Sequence, residues 1–265
     1  MKHQQKRSGT CLCGLYQREA ELSGGVRGLP VIVVIASKVY FNPGRLSAGA
    51  IHREIDGTLK RLGTDYLDLY IIHRFDYETP IEETMEALND LVKAGKVRAL
   101  GASAMYGYQF HNMQLAAEKN GWTKFVSMQN HYNLLYREDE REMIPVCRQY
   151  NVSLTPYSPL ASGRLSRLEW HTDTKRSQTD KTAAQKYDSM LEKDSSIVKR
   201  VAEITKKYDA TMSQISIAWL LAKGVTSPII GATKARSLMM QQEHWIFHSL
   251  RKILLILKNY IFPIK

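Results

Sequence analysis

Cysteine is scarce in this chain of 265 residues: Cys11, Cys13 and Cys147 are the whole complement. Three thiols cannot make a disulfide framework, and Cys11-x-Cys13 is closer than the two-residue spacing of common zinc and redox pairs. Neither a disulfide scaffold nor a metal site is expected. Long apolar runs are also missing. None approaches the ~18 to 20 residues that cross a bilayer, and the charged start Met1-Lys2-His3-Gln4-Gln5-Lys6-Arg7 has no apolar segment behind it. The expectation is a cytoplasmic protein with no membrane partner. A glycine-rich dinucleotide fingerprint and a P-loop are absent too, so the two commonest glycine-based nucleotide cradles are excluded.

Charge of one sign is abundant, but its placement argues against nucleic acid. The net charge is +11, of which residues 1–30 carry +3 and residues 232–265 carry +5. The long middle is nearly balanced, whereas a nucleic-acid binder gathers its basic residues on one face or motif. No nucleic-acid partner is expected. At 265 residues the chain can form one large α/β domain or two ordinary ones, and 44% hydrophobic residues are enough for a core.

The middle of the chain alternates between two hydrophobic periods. Val31 to Val39 is continuously apolar and β-branched until Lys38, the pattern of a strand buried on both faces. Ile51, Ile55, Leu59 and Leu62 recur at helical spacing before Gly63, a good C-terminal cap. The stretch Asp65 to Arg74 is a second buried strand, and it ends by delivering His73. Thr79-Pro80-Ile81-Glu82 then reads as an N-cap, a first-turn proline and a capping-box glutamate, opening a helix that stops at Gly95. Strands follow at Val97 to Ser103, Phe125 to Gln129, Val152 to Tyr157 and Ser227 to Gly231. Helices are expected near 107–119, 138–149, 195–207 and 213–222, with a polar insertion near 162–193. In residues 1–30 only Leu15 to Leu22 suggests a short helix. Strands every thirty residues or so with helices between them mean a parallel sheet, and the period matches a (β/α)₈ TIM barrel, here incomplete with about six of its eight βα units.

In such a fold the carboxyl ends of the strands face the active site, and here those ends supply Lys38, His73, Ser103, Gln129 and Tyr157-Ser158-Pro159-Leu160. That set resembles the aldo-keto reductase family, nearest to its aryl-alcohol-dehydrogenase-like and potassium-channel β-subunit-like branch. Ala36-Ser37-Lys38-Val39 is similar to the strand bearing the family's catalytic lysine, and Leu69-Tyr70-Ile71-Ile72-His73-Arg74 to the strand bearing its catalytic histidine. Pro80-Ile81-Glu82-Glu83-Thr84, with Gly95-Lys96-Val97-Arg98, resembles the signature helix and the strand after it. Gly101-Ala102-Ser103 and Gln129-Asn130-His131-Tyr132-Asn133 resemble the segments that bind the nicotinamide carboxamide. Tyr157 stands where the aromatic residue stacks on the nicotinamide ring. Gly231-Ala232-Thr233-Lys234 resembles the loop holding the 2′-phosphate of NADP.

The resemblance implies reduction of aldehydes and ketones to alcohols by hydride transfer from NADP(H), with a small-molecule carbonyl substrate and room for a homo-oligomer. It assigns Lys38 and His73 to catalysis, and Ser103, Gln129, Tyr157, Ser158, Leu160, Gly231, Thr233 and Lys234 to the cofactor. It also divides the chain into an atypical segment 1–30, a reductase domain 31–238 and an atypical tail 239–265. The family pairs its lysine with an aspartate and lets a tyrosine give the proton. Residues 1–30 hold no Asp and only Tyr16, in a stretch unlike that motif. After Lys234, Ser237, Met240 and Gln241 stand where adenine contacts are expected. Both ends therefore read as truncated or shifted in frame, with the first two strands missing. The alternative function is a catalytically dead nucleotide-binding or regulatory protein of the same fold.

Overall fold

The computed structural model describes residues 11–20, 31–170, 181–187 and 190–231. The chain divides into two units, residues 1–129 with 145–152 and residues 130–144 with 153–265.

In the first unit strands and helices alternate: β2 (Val31–Val39), α1 (Ala48–Leu62), β3 (Leu67–Ile72), α2 (Ile81–Lys93), β4 (Val97–Ser103), α3 (Gly107–Asn120) and β5 (Phe125–Gln129). β2 to β5 are parallel neighbours in chain order, as the repeating period predicts. Residues 15–22 were expected to be helical, yet β1 (Cys11–Ala20) is a strand antiparallel to β2. A bare edge of β2 would leave a row of backbone groups unpaired, and strand pairing there satisfies them where a helix would not.

One side of the sheet is covered by helices. Tyr70, Ile72, Leu100, Ala102 and Met128 are buried there, as are Ile51 and Ile55 of α1 and Met85, Leu88 and Leu91 of α2. A one-residue register slip in β5 serves this packing: Leu100 pairs with Phe125, but Gly101 pairs with Ser127. The extra residue, Val126, is exposed, while Phe125 turns to stack on Phe110 of α3 at 5.9 Å. Gln114 completes the bulge, accepting from the Phe125 N–H at 2.9 Å and donating to its carbonyl at 3.0 Å.

The expected capping box at Thr79 and Glu82 does not form. α2 begins at Ile81 after Pro80, and the Thr79 hydroxyl donates to Asp76 instead, at 2.7 Å. The other polar residues of this motif reach across to the start of α1. Glu83 accepts from the Ala48 N–H at 2.9 Å, and the Thr84 hydroxyl donates to the Leu46 carbonyl at 3.1 Å. A tertiary carboxylate thus satisfies a helix N-terminus that its own N-cap, Ser47, leaves without a side-chain bond.

α4 (Met143–Gln149) spans the division between the units. The second unit contains β6 (Ser153–Leu154), α5 (Lys181–Tyr187), α6 (Leu191–Tyr208) and α7 (Met212–Ala222). The helix expected at 138–149 is split, with a 3-10 turn at Glu138–Glu140 preceding α4. The strand expected at Val152 to Tyr157 is reduced to two residues, and Ser227 to Gly231 is not a strand. Both stretches contain a proline, Pro156 and Pro228, which has no N–H to give to a ladder. The two still pair locally, through Thr226 N–H to the Leu154 carbonyl at 3.0 Å and Ile229 N–H to the Pro156 carbonyl at 2.9 Å. Glu140 anchors this unit: it receives the Tyr132 hydroxyl at 2.6 Å, Arg137 at 2.6 Å and Lys223 at 3.2 Å. Although burial opposes ionisation, the Arg137 and Tyr132 hydrogen bonds and the two cations hold its carboxyl down to about 2.

Candidate active site

Strand register decides which side chains share a face. Across the parallel ladder Ala36 pairs with Leu69, Lys38 with Ile71, Ile71 with Gly101, Gly101 with Ser127, and Ser103 with Gln129. Paired residues and residues two apart lie on one side of a sheet. Lys38, His73, Ser103 and Gln129 therefore share the face opposite the helices, and all four stand at the carboxyl ends of β2 to β5. The convergence is tight lower down. A Cβ on Gly101 would lie 2.5 Å from Ser127 Oγ and 3.0 Å from Ile71 Cγ1, so β4 carries no side chain at that level.

His73 continues the ladder past the end of β3, its N–H donating to the Val39 carbonyl at 2.9 Å. Its ring meets the edge of Phe41 at 4.7 Å. Burial first, then the charges of Lys38 and Arg74, push its pKa down to about 4. At neutral pH the ring is uncharged, with one N–H to donate and one bare nitrogen. Such a group orients a carbonyl and polarises it. As a proton donor it would be almost wholly depleted.

Ser103 is buried, and its hydroxyl donates to the Gln129 carbonyl at 2.6 Å, which leaves its oxygen lone pairs as acceptors. The Gln129 side chain is also buried, on the same face. A hydroxyl acceptor beside a side-chain amide suits a small planar group that both gives and takes hydrogen bonds.

In the second unit, Ser158, Leu160 and Gly231 line one cavity of 330 Å³ together with Ser162, Gly163 and Arg167. Tyr157 stacks on His131 with ring centroids 5.0 Å apart and planes 9° apart, and Lys186 Nζ lies 4.9 Å from its centroid. The other stacking partner of His131 is Tyr136 at 4.1 Å, and its Nε2 lies 2.7 Å from the Tyr187 hydroxyl. Burial, then Lys186, lowers the His131 pKa to about 4. Thr233 and Lys234 lie outside the described residues.

Two features went unread in the sequence. Phe41, exposed beside His73, followed its strand with no periodicity to mark it. The His131 stack joins Tyr136, Tyr157 and Tyr187 from three separate segments, so no local spacing could have signalled it.

Parallel βα units with polar residues gathered at the strand ends define an α/β fold of the barrel class. The model of the aldo/keto reductase family matches residues 30–243, and the chain belongs to that family. It is 53% identical over 199 residues to an aldo-keto reductase of Fusarium vanettenii, covering 74% of this chain and 52% of that protein. A Schizosaccharomyces pombe protein whose name assigns it to the aryl-alcohol dehydrogenases is 48% identical over 195 residues, covering 73% of this chain and 54% of that one. The versiconal hemiacetal acetate reductase of Aspergillus parasiticus is 45% identical over 193 residues, covering 72% and 56%. The chain thus spans about half the length of the curated relatives it matches. Among the described residues no helix is long and apolar enough to cross a membrane.

Proposed function

We propose that this chain binds NADP(H) and acts in the cytoplasm on small aldehydes or ketones, reducing them to alcohols. The observation that carries the reading is the shared face of Lys38, His73, Ser103 and Gln129 at the carboxyl ends of four consecutive parallel strands. A nicotinamide cofactor supplies the hydride. The residues of this chain fit such a group: the Ser103 acceptor and the Gln129 amide suit a carboxamide. The cavity at Ser158, Leu160 and Gly231 offers the Arg167 guanidinium to a phosphate. Tyr157 would support the nicotinamide ring, and Thr233 and Lys234 would meet the 2′-phosphate.

Reduction leaves negative charge on the carbonyl oxygen, so catalysis needs hydrogen-bond donors there and finally a proton. Neutral His73 supplies a donor, and the Lys38 ammonium supplies positive charge two residues along the neighbouring strand's face. The aspartate and tyrosine that the family adds are not matched in residues 1–30. A positioned general acid is worth about 10² to 10⁴ in rate, so the 265-residue chain should bind the cofactor and turn over slowly.

The test is paired. NADPH is titrated by its own fluorescence, and its oxidation by a nitrobenzaldehyde is then followed by absorbance. Tight binding with turnover far below that of a relative such as the Fusarium vanettenii protein is the expected result. Failure to bind NADPH would end the reading, and full turnover would show that another residue donates the proton.

A further inference from the structure

Two loops frame His73, one after β2 carrying Tyr40, Phe41 and Arg45, the other after β3 carrying Arg74, Phe75, Asp76 and Tyr77. A buried carboxylate locks them together. Asp76 accepts from the Leu46 N–H at 3.2 Å, the Glu78 N–H at 3.1 Å and the Thr79 hydroxyl at 2.7 Å, with Arg45 Nη1 at 3.5 Å. Both loops are therefore held on a rigid support, the arrangement expected of a binding surface rather than of loose connections.

What this support presents to solvent is unusual. Phe41 is 66% exposed and Tyr77 is 72% exposed, while Tyr40 meets Phe41 edge-on at 5.3 Å. Exposed aromatic rings gathered beside a candidate catalytic histidine mark a place where something apolar and flat comes to rest. The two arginines differ. Arg45 is neutralised by Glu78 at 2.6 Å and by Asp76. Arg74 makes no ion pair among the described residues. It lies with its guanidinium carbon 5.2 Å from the Phe41 centroid and 5.6 Å from that of Tyr40. Stacking of this kind holds a guanidinium flat and leaves its edge N–H groups free, the geometry that receives a carboxylate in bidentate fashion.

We propose that Phe41 and Arg74 form the substrate subsite and select aromatic carbonyl compounds bearing a carboxylate on the ring. The substrate ring packs on Phe41, its carbonyl oxygen receives the His73 N–H, and its carboxylate meets Arg74. The assignment rests on the reading of the chain as a carbonyl reductase, but its test does not need turnover.

Binding of 4-(hydroxymethyl)benzoate and of its neutral methyl ester to the full chain with NADPH is measured by calorimetry. The acid should bind about tenfold tighter than the ester, as one charge-assisted contact predicts, and the gap should narrow as salt rises. Arg74→Gln should erase the preference, costing the acid about tenfold more than the ester, and Phe41→Ala should weaken both. Equal affinity for acid and ester, no detectable binding of the acid, or equal losses in Arg74→Gln would each overturn the subsite. Oxidation of NADPH by 4-carboxybenzaldehyde is read separately. Charge-selective binding without oxidation sinks the reductase reading and keeps the subsite, whereas oxidation without charge selectivity does the reverse.

Discussion

His73 and His131 are alike in one number and unlike in everything that produces a use. Burial drives each ring down to about 4, and in each case a neighbouring lysine adds to the shift, Lys38 for one and Lys186 for the other. Yet His131 is stacked on Tyr136 and Tyr157, with its Nε2 engaged by Tyr187. Among the described residues His73 is touched by a single ring, Phe41, and bonded only through its backbone. A depressed histidine is thus no sign of function by itself. What separates the two is whether the ring nitrogens still have bonds to make.

The largest expected effect follows directly. If His73 is the carbonyl donor, His73→Ala should lower kcat/KM for an aromatic aldehyde by about 10² to 10³, as removal of one preorganised donor does elsewhere, with thermal stability little changed. His131→Ala should reverse that pattern. It removes two stacked ring contacts, an edge contact with Tyr187 and a hydrogen bond, worth together about 2 to 4 kcal/mol of stability. Thermal melts of both variants check this, and a His73→Ala protein that melts early while His131→Ala does not would undo the distinction.

The same contrast explains what could be read in advance. β2 to β5 and their helices were legible because each is written in a short hydrophobic period, and the register that gathers Lys38, His73, Ser103 and Gln129 follows from strand order alone. The second unit was harder. Pro156 and Pro228 sit inside apolar stretches that look like strands, but they remove the donors a ladder needs. The helix expected at 15–22 failed differently, since pairing with the edge of β2 outweighs a weak local propensity. Phe41 and Arg74 acquire their meaning only from each other and from His73, across two loops.

Acid titration sharpens the comparison at smaller amplitude. Both histidines have folded pKa values below their ordinary 6.5, so as pH falls the unfolded chain takes up its protons first. Their contribution to stability is complete above 6.5 and is lost as pH drops toward 4, at most about 3 kcal/mol for His131 and less for the more exposed His73. Asp194 has the opposite sign. Burial raises its carboxyl to about 6, so its contribution is present below 3.8 and is lost as pH rises through 6. Asp194→Asn should therefore stabilise the protein at neutral pH by about 1 kcal/mol, a figure reduced for solvent screening, and make the remaining acid-side loss steeper. Denaturant midpoints across pH 4 to 7 would show it, and unchanged midpoints in the variant would rule it out.

The smallest effect is the most specific. Lys38 and His73 lie on one face of adjacent strands, and Lys38 is the first of two charges that depress the histidine, after burial. Lys38→Met should raise the His73 pKa only part of the way back toward 6.5, because burial and Arg74 remain. Lys186→Met should do the same to His131 while leaving His73 where it is, since the charges that depress His73 are Lys38 and Arg74. Titration of the two imidazole C–H resonances by NMR reads both shifts in one experiment. If Lys38→Met moves neither ring, Lys38 and His73 do not share the electrostatic environment that the proposed chemistry requires.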